Sequence, residues 1–200
     1  MTEQNKQSTT ADANDKSSSS LLPVGSEAPD FTLNAIPGEA HSLRELRGRP
    51  VVLVFYPADW SPVCGDQLAL YNQLKDVWKG LRAQVVGVSV DGVWCHQAYS
   101  TTRNLSFPLL ADFEPKGAVA QRYNAYNNKG GVAHRALYVL DANGIIQWNH
   151  LSPANINPGA DGILKALESL TPEQRGESGA TAPSSRVTQP AKSQKPEARA

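Results

Sequence analysis

The sequence predicts an α/β domain, a central mixed β-sheet flanked by helices, on three observations. Residues 51–56 (VVLVFY) form a continuous apolar run, as a strand does when both its faces are covered. Leu70, Tyr71, Leu74, Val77 and Trp78 then recur at helical spacing, and residues 85–90 give a second β-branched run. Near the end, Asp141-Ala142-Asn143-Gly144 separates two strand-like runs as a hairpin turn does. Strand, helix, strand, hairpin and closing helix is the order of a layered α/β unit.

Each element follows in turn. Residues 30–33 and 40–43 read as short strands joined through Pro37 and Gly38. The strand over 51–56 leads into a helix whose stripe is closed by Gly80. After the strand at 85–90, residues 93–103 suit a helix and 107–110 a short strand. Ala118, Val119, Arg122 and Tyr123 suggest one or two helical turns after Pro115. Residues 136–140 and 145–148 are the arms of the hairpin, and Ile163, Ala166, Leu167 and Leu170 stripe a last helix starting near Pro158.

With 200 residues and 40% hydrophobic content the chain suits one domain with tails. Residues 1–20 are almost free of apolar side chains, and 172–200 are rich in Pro, Ser and Gln. Both are expected to be disordered, leaving 21–171 as the folded unit. A formal net charge of zero gives no electrostatic case for nucleic acid. The start has no basic segment followed by an apolar run, and no stretch of 18 apolar residues occurs, so neither a secretory signal nor a membrane span is expected and the protein reads as cytoplasmic. His41, His134 and His150 are scattered and Cys95-His96 is an adjacent pair, so no metal is expected. No glycine-rich phosphate loop or dinucleotide fingerprint calls for a cofactor.

The chemistry is concentrated at Cys64, one of two cysteines. It would stand at or just before the first turn of the helix after the buried strand. There, unpaired N–H groups and the positive dipole end favour the thiolate, the nucleophilic form. Ser61, three residues earlier, can donate a hydroxyl to the sulfur or to an incoming oxygen. Pro57 has no N–H and can pack over the site against water and large reductants.

Pro-x-x-x-Ser-x-x-Cys at Pro57, Ser61 and Cys64, led by VVLVFYP, resembles the active-site signature of the peroxiredoxins. Val88-Ser89-Val90-Asp91 with His96, Phe107-Pro108-Leu109-Leu110-Ala111-Asp112, and Arg135-Ala136-Leu137-Tyr138-Val139-Leu140-Asp141 with Gly144 resemble further segments of that family. The likeness spans about residues 23–170 and is greatest to the one-cysteine, alkyl hydroperoxide reductase E-like group, then to the bacterioferritin-comigratory-protein group. It implies a thioredoxin-like fold, a homodimer, and reduction of hydrogen peroxide or organic hydroperoxides through a sulfenic acid on Cys64. It also implies that Arg135 is the active-site arginine, polarising the peroxide together with Ser61. A thioredoxin-like protein or a low-molecular-weight thiol would be the reductant. Two positions depart from the family pattern: Gln67 stands where many members carry glutamate, and Ser61 where threonine is commoner. Trp60 takes a place more often held by phenylalanine and reads as a packing or interface aromatic.

Cys95 is left with two readings. It lies neither five residues after the peroxidatic cysteine nor further along the next helix, where related chains keep an internal resolving cysteine. It is either a resolving thiol or a partly buried thiol outside the cycle. Two other functions use the same sulfur. A thiol–disulfide exchange protein would normally carry Cys-x-x-Cys, but Gly65-Asp66-Gln67 follows Cys64. A peroxide sensor would pass its oxidation to a partner.

Overall fold

A computed structural model describes residues 20–177. In chain order the elements are β1 (Thr32–Ile36), β2 (Glu39–Ser42), α1 (Leu43–Leu46), β3 (Val51–Phe55), α2 (Pro62–Gln73), α3 (Lys75–Gly80), β4 (Gln84–Ser89) and α4 (Val93–Arg103). There follow β5 (Leu109–Ala111), α5 (Ala118–Arg122), β6 (Tyr126–Asn127), β7 (Val132–Ala133), β8 (Arg135–Leu140), β9 (Ile146–Ser152) and α6 (Asp161–Glu168). Seven strands form one sheet in the order β2-β1-β5-β4-β3-β8-β9, while β6 and β7 pair apart from it. The β3–β4 and β4–β5 ladders are parallel and the others antiparallel, so the sheet is mixed as expected. The architecture is the thioredoxin-like α/β fold.

The alternation of β3 explains its unbroken apolar sequence. Val51, Leu53 and Phe55 face a core with Leu43, Val119 and Tyr123, on the side of α1 and α5. Val52 and Val54 face the opposite core, with Leu68, Tyr71, Trp78, Ile163 and Leu167 from α2, α3 and α6. Both faces of the strand are therefore dry. In β8 the same period places Ala136, Tyr138 and Leu140 on the first side and Leu137 and Val139 on the second, the side to which Arg135 belongs. Phe55 pairs with Ala136, so the end of β3 meets the start of β8.

Several boundaries differ from the sequence expectation, each for a local reason. The helix expected to start at about Cys64 and to close at Gly80 starts at Pro62 and breaks at Leu74 into two. Its first turn, Pro62-Val63-Cys64-Gly65, carries no apolar stripe to announce it. The short strand begins at Leu109 because Pro108 has no N–H to give to the ladder; Pro108 only accepts, from the Gly87 N–H at 3.0 Å. β9 runs on to Ser152, through Asn149 and His150, as a sheet-edge strand too polar to read as one. The first hairpin is shifted, and α1 was not expected at all. Its signal is present in Ser42-Leu43-Arg44-Glu45, where Ser42 and Glu45 form a reciprocal capping box. The turn after β8 is as expected: Asp141 Oδ1 accepts from the N–H groups of Asn143 and Ile145, each at 2.9 Å, and Gly144 supplies the left-handed φ of +85°.

The N-terminal stretch 1–20, apart from Ser20, lies outside the described residues, as does 178–200. Residues 172–177 form a turn whose Gln174 carbonyl accepts from the Ala142 N–H at 2.8 Å.

Candidate active site

Cys64 is the third residue of α2 and is wholly buried. Ser61 is the N-cap and Pro62 the first helical residue, a position where the missing N–H of proline removes nothing from the helix. The first intrahelical bond runs from Gly65 N–H to the Ser61 carbonyl at 2.8 Å. The N–H groups of Val63 and Cys64 thus precede the ladder and have no intrahelical acceptor. The Ser61 side chain does not cap the helix and makes no hydrogen bond among the described residues. Pro57 lies half-buried in the loop between β3 and α2. Neither Ser61 nor Pro57 makes a hydrogen bond to the sulfur.

Arg135 does reach it. The first residue of β8 is only 1% exposed, the bulkiest of the fully buried side chains, and its Nη2 donates to Cys64 Sγ at 3.4 Å across 71 residues of sequence. The rest of the guanidinium is held by neutral groups. Nη2 and Nε donate to the Ala154 carbonyl at 2.8 and 3.3 Å, and Nη1 donates to Gln67 Oε1 at 2.5 Å. Gln67 Nε2 donates in turn to the Tyr71 hydroxyl at 3.2 Å, which donates to the Gly159 carbonyl at 3.0 Å. Burial pushes the Tyr71 phenol up to about 12, against the opposing pull of the Gln67 hydrogen bond and the Arg135 charge. Among the described residues no carboxylate pairs with Arg135. A buried cation without a counter-ion is costly. Of the groups it hydrogen-bonds, only the Cys64 sulfur is able to carry negative charge.

The structure therefore assembles Cys64, Arg135 and Gln67. Gln67, marked in the sequence only as a departure from the family pattern, orients the guanidinium. The Ala154 carbonyl had no sequence signal, since every residue type has one.

Cys95 is the third residue of α4 and half-buried, and no disulfide joins it to Cys64. Its sulfur and one carboxylate oxygen each of Asp59 and Asp91 lie within 4.8 Å of one another. Burial, then the hydrogen bond and charge of Asp59, push this thiol up from its ordinary value, with a smaller opposing contribution from Trp60. Trp60 is half exposed, has a left-handed φ of +61°, and meets the Tyr99 ring edge-on at 5.0 Å between centroids.

The AhpC/TSA family profile matches residues 24–149 of the chain. The chain belongs to that family, the peroxiredoxins. Among similar proteins, alkyl hydroperoxide reductase E of Mycobacterium tuberculosis is 36% identical over 64% of this chain and 84% of its own. Peroxiredoxin-2 of Mus musculus is 31% identical over 74% of this chain and 78% of its own. The crystal structure of peroxidoxin BcpB from M. tuberculosis superposes with a TM-score of 0.67 at 27% identity, covering 74% of this chain and 97% of that one. As a peroxiredoxin, the protein is a thiol-dependent peroxidase. Peroxiredoxins generally use peroxide substrates and thiol reductants and often form dimers. No helix among the described residues is long and apolar enough to cross a membrane.

Proposed function

We propose that Cys64 is the peroxidatic nucleophile and that Arg135, Ser61 and Pro57 complete its site. The observation that carries this is the buried guanidinium whose one hydrogen-bonded neighbour able to bear negative charge is the Cys64 sulfur. The thiolate attacks one oxygen of the peroxide. An S–O bond forms, the O–O bond breaks, and the departing oxygen takes a proton to leave as water or an alcohol. Charge moves from sulfur to oxygen during this step. A fixed fork of donors beside the sulfur stabilises that movement without rearranging, because Ala154 and Gln67 already hold it. The Ser61 hydroxyl, committed to no other hydrogen bond, donates to the peroxide. Pro57 shields the sulfur from water and bulky thiols.

The sulfenic acid then condenses with a second thiol, releasing water, and a further thiol reduces the disulfide. We place that second thiol outside the protein, on a thioredoxin-like protein or a low-molecular-weight thiol. The carboxylates around Cys95 favour its neutral, less nucleophilic form, which supports an external partner over Cys95 as the resolving thiol. A reducing compartment such as the cytoplasm and a homodimeric assembly fit this cycle. Sedimentation at micromolar concentration tests the dimer.

Peroxide consumption by wild type, Cys64→Ser and Cys95→Ser, with thioredoxin and small thiols offered separately, tests the assignment. Loss in Cys64→Ser alone is expected. Turnover surviving in Cys64→Ser overturns the site, and loss of thioredoxin-linked turnover in Cys95→Ser makes Cys95 the resolving thiol.

A further inference from the structure

Behind the loop that carries Ser61 to the start of α2 lies a buried polar cluster that the peroxide chemistry does not itself use. The Asp59 side chain is fully buried. Its Oδ1 accepts from the Tyr56 hydroxyl and its Oδ2 pairs with His96 Nδ1, both at 2.8 Å. Its backbone N–H donates to Asp91 Oδ2 at 2.8 Å, and that oxygen also accepts from Ser89 Oγ at 2.7 Å. Tyr56 follows β3, Ser89 ends β4, Asp91 follows it, and His96 stands on α4. One residue of the loop is thus fastened to three elements. A buried carboxylate is tolerated only when its oxygens are satisfied, and both are.

His96 carries the second clue. Its ring is 1% exposed, and Nε2 has no hydrogen-bond partner among the described residues. The ring leaves one nitrogen unpaired and is held here by its other, so what histidine adds is the bond from Nδ1, which an apolar side chain would remove from Asp59. Trp60, the residue after Asp59, holds a left-handed backbone conformation that a bulky side chain avoids, so this stretch needs external hold to keep its path. Ser61 and the Cys64 turn follow immediately.

We infer that Asp59, clamped by Tyr56 and His96, is a positioning residue for peroxide reduction, setting the path of the 57–61 loop and with it the place of the Ser61 hydroxyl. This rests on Cys64 as the attacking thiol. Peroxide consumption by Cys64→Ser would defeat that reading and this one together, whereas the clamp variants fail or succeed with Cys64 intact.

The test measures, on the full chain, the second-order rate of Cys64 oxidation by hydrogen peroxide and, separately, the rate of Cys64 alkylation by iodoacetamide. Alkylation needs the thiolate but not the donors arranged around a peroxide. His96→Leu should slow peroxide oxidation by about tenfold or more, the scale on which small misplacements act, with alkylation nearly unchanged. His96→Asn, whose amide can donate from the Nδ1 position, should recover most of that loss. Tyr56→Phe, a volume-neutral removal of one donor, gives a smaller loss of about threefold and keeps the test decisive if the leucine variant fails to fold. A wild-type peroxide rate in Tyr56→Phe, an asparagine variant as slow as a folded leucine variant, or a matching fall in alkylation each overturns the inference.

Discussion

Cys64 and Cys95 occupy the same place in two successive units: each is the third residue of the helix that follows one of two adjacent parallel strands. Both therefore stand in the field of a helix N-terminus, and neither has a capping side chain on the residue before its helix. Their neighbours differ in sign. A guanidinium meets the first sulfur at 3.4 Å, while carboxylates of Asp59 and Asp91 surround the second. The first is sealed from solvent with its cation, and the second is partly open. A helix start alone does not make a thiol a catalyst. The charges that tertiary structure brings to it decide the chemistry.

The sharpest way to break this contrast is to remove each sulfur in turn. Cys64→Ser should lower peroxide turnover on the order of a thousandfold, as loss of a covalent nucleophile does. Cys95→Ser should leave the oxidation of Cys64 close to wild type in stopped-flow fluorescence. Next comes the cation. Arg135→Met should cost about a hundredfold in the second-order rate with peroxide, the scale for a lost transition-state donor. Arg135→Lys should restore little, since a single ammonium cannot serve sulfur, Gln67 and Ala154 together.

Gln67→Leu removes an acceptor from a buried guanidinium and a donor from Tyr71. It should destabilise the fold by about 1–3 kcal/mol in urea unfolding and slow peroxide reduction through a loosened Arg135. The smallest effect concerns Cys95. Its thiol is pushed up, so the thiolate fraction at neutral pH is below that of an unburied thiol. Its alkylation by iodoacetamide, followed by peptide mass spectrometry, should be slow at pH 7 and rise as pH climbs through and beyond 9. An alkylation rate that levels off below pH 9 would erase the difference in neighbours.

Much of this was readable in advance because it follows from local rules. The apolar run of β3 and the hairpin turn at Asp141 each place an element by chain geometry, whereas the spacing from Pro57 to Cys64 speaks only through a family resemblance. Arg135 was legible only through the residues after it. Nothing in an arginine at a strand start says that it turns inward. Gln67 stood out as a departure, but its role depends on Arg135 and Tyr71 arriving from elsewhere in the fold. The Ala154 carbonyl and the pairing of Asp59 with His96 were invisible for the same reason: hydrogen bonds between residues 19 and 37 apart leave no period in the sequence. The capping box at Ser42 leaves only a faint trace, since a four-residue helix buries only Leu43 and shows no stripe.

The antiparallel ladder between β3 and β8 has one more consequence. Since Phe55 faces Ala136 across it, Arg135 emerges beside the exit of β3 whatever the length of chain in between. Loops between β5 and β8 can change length without moving Arg135 from the exit of β3. A single residue inserted inside β8 would rotate the guanidinium to the opposite face of the sheet. Peroxide turnover in such a variant would act as a gauge of strand alignment.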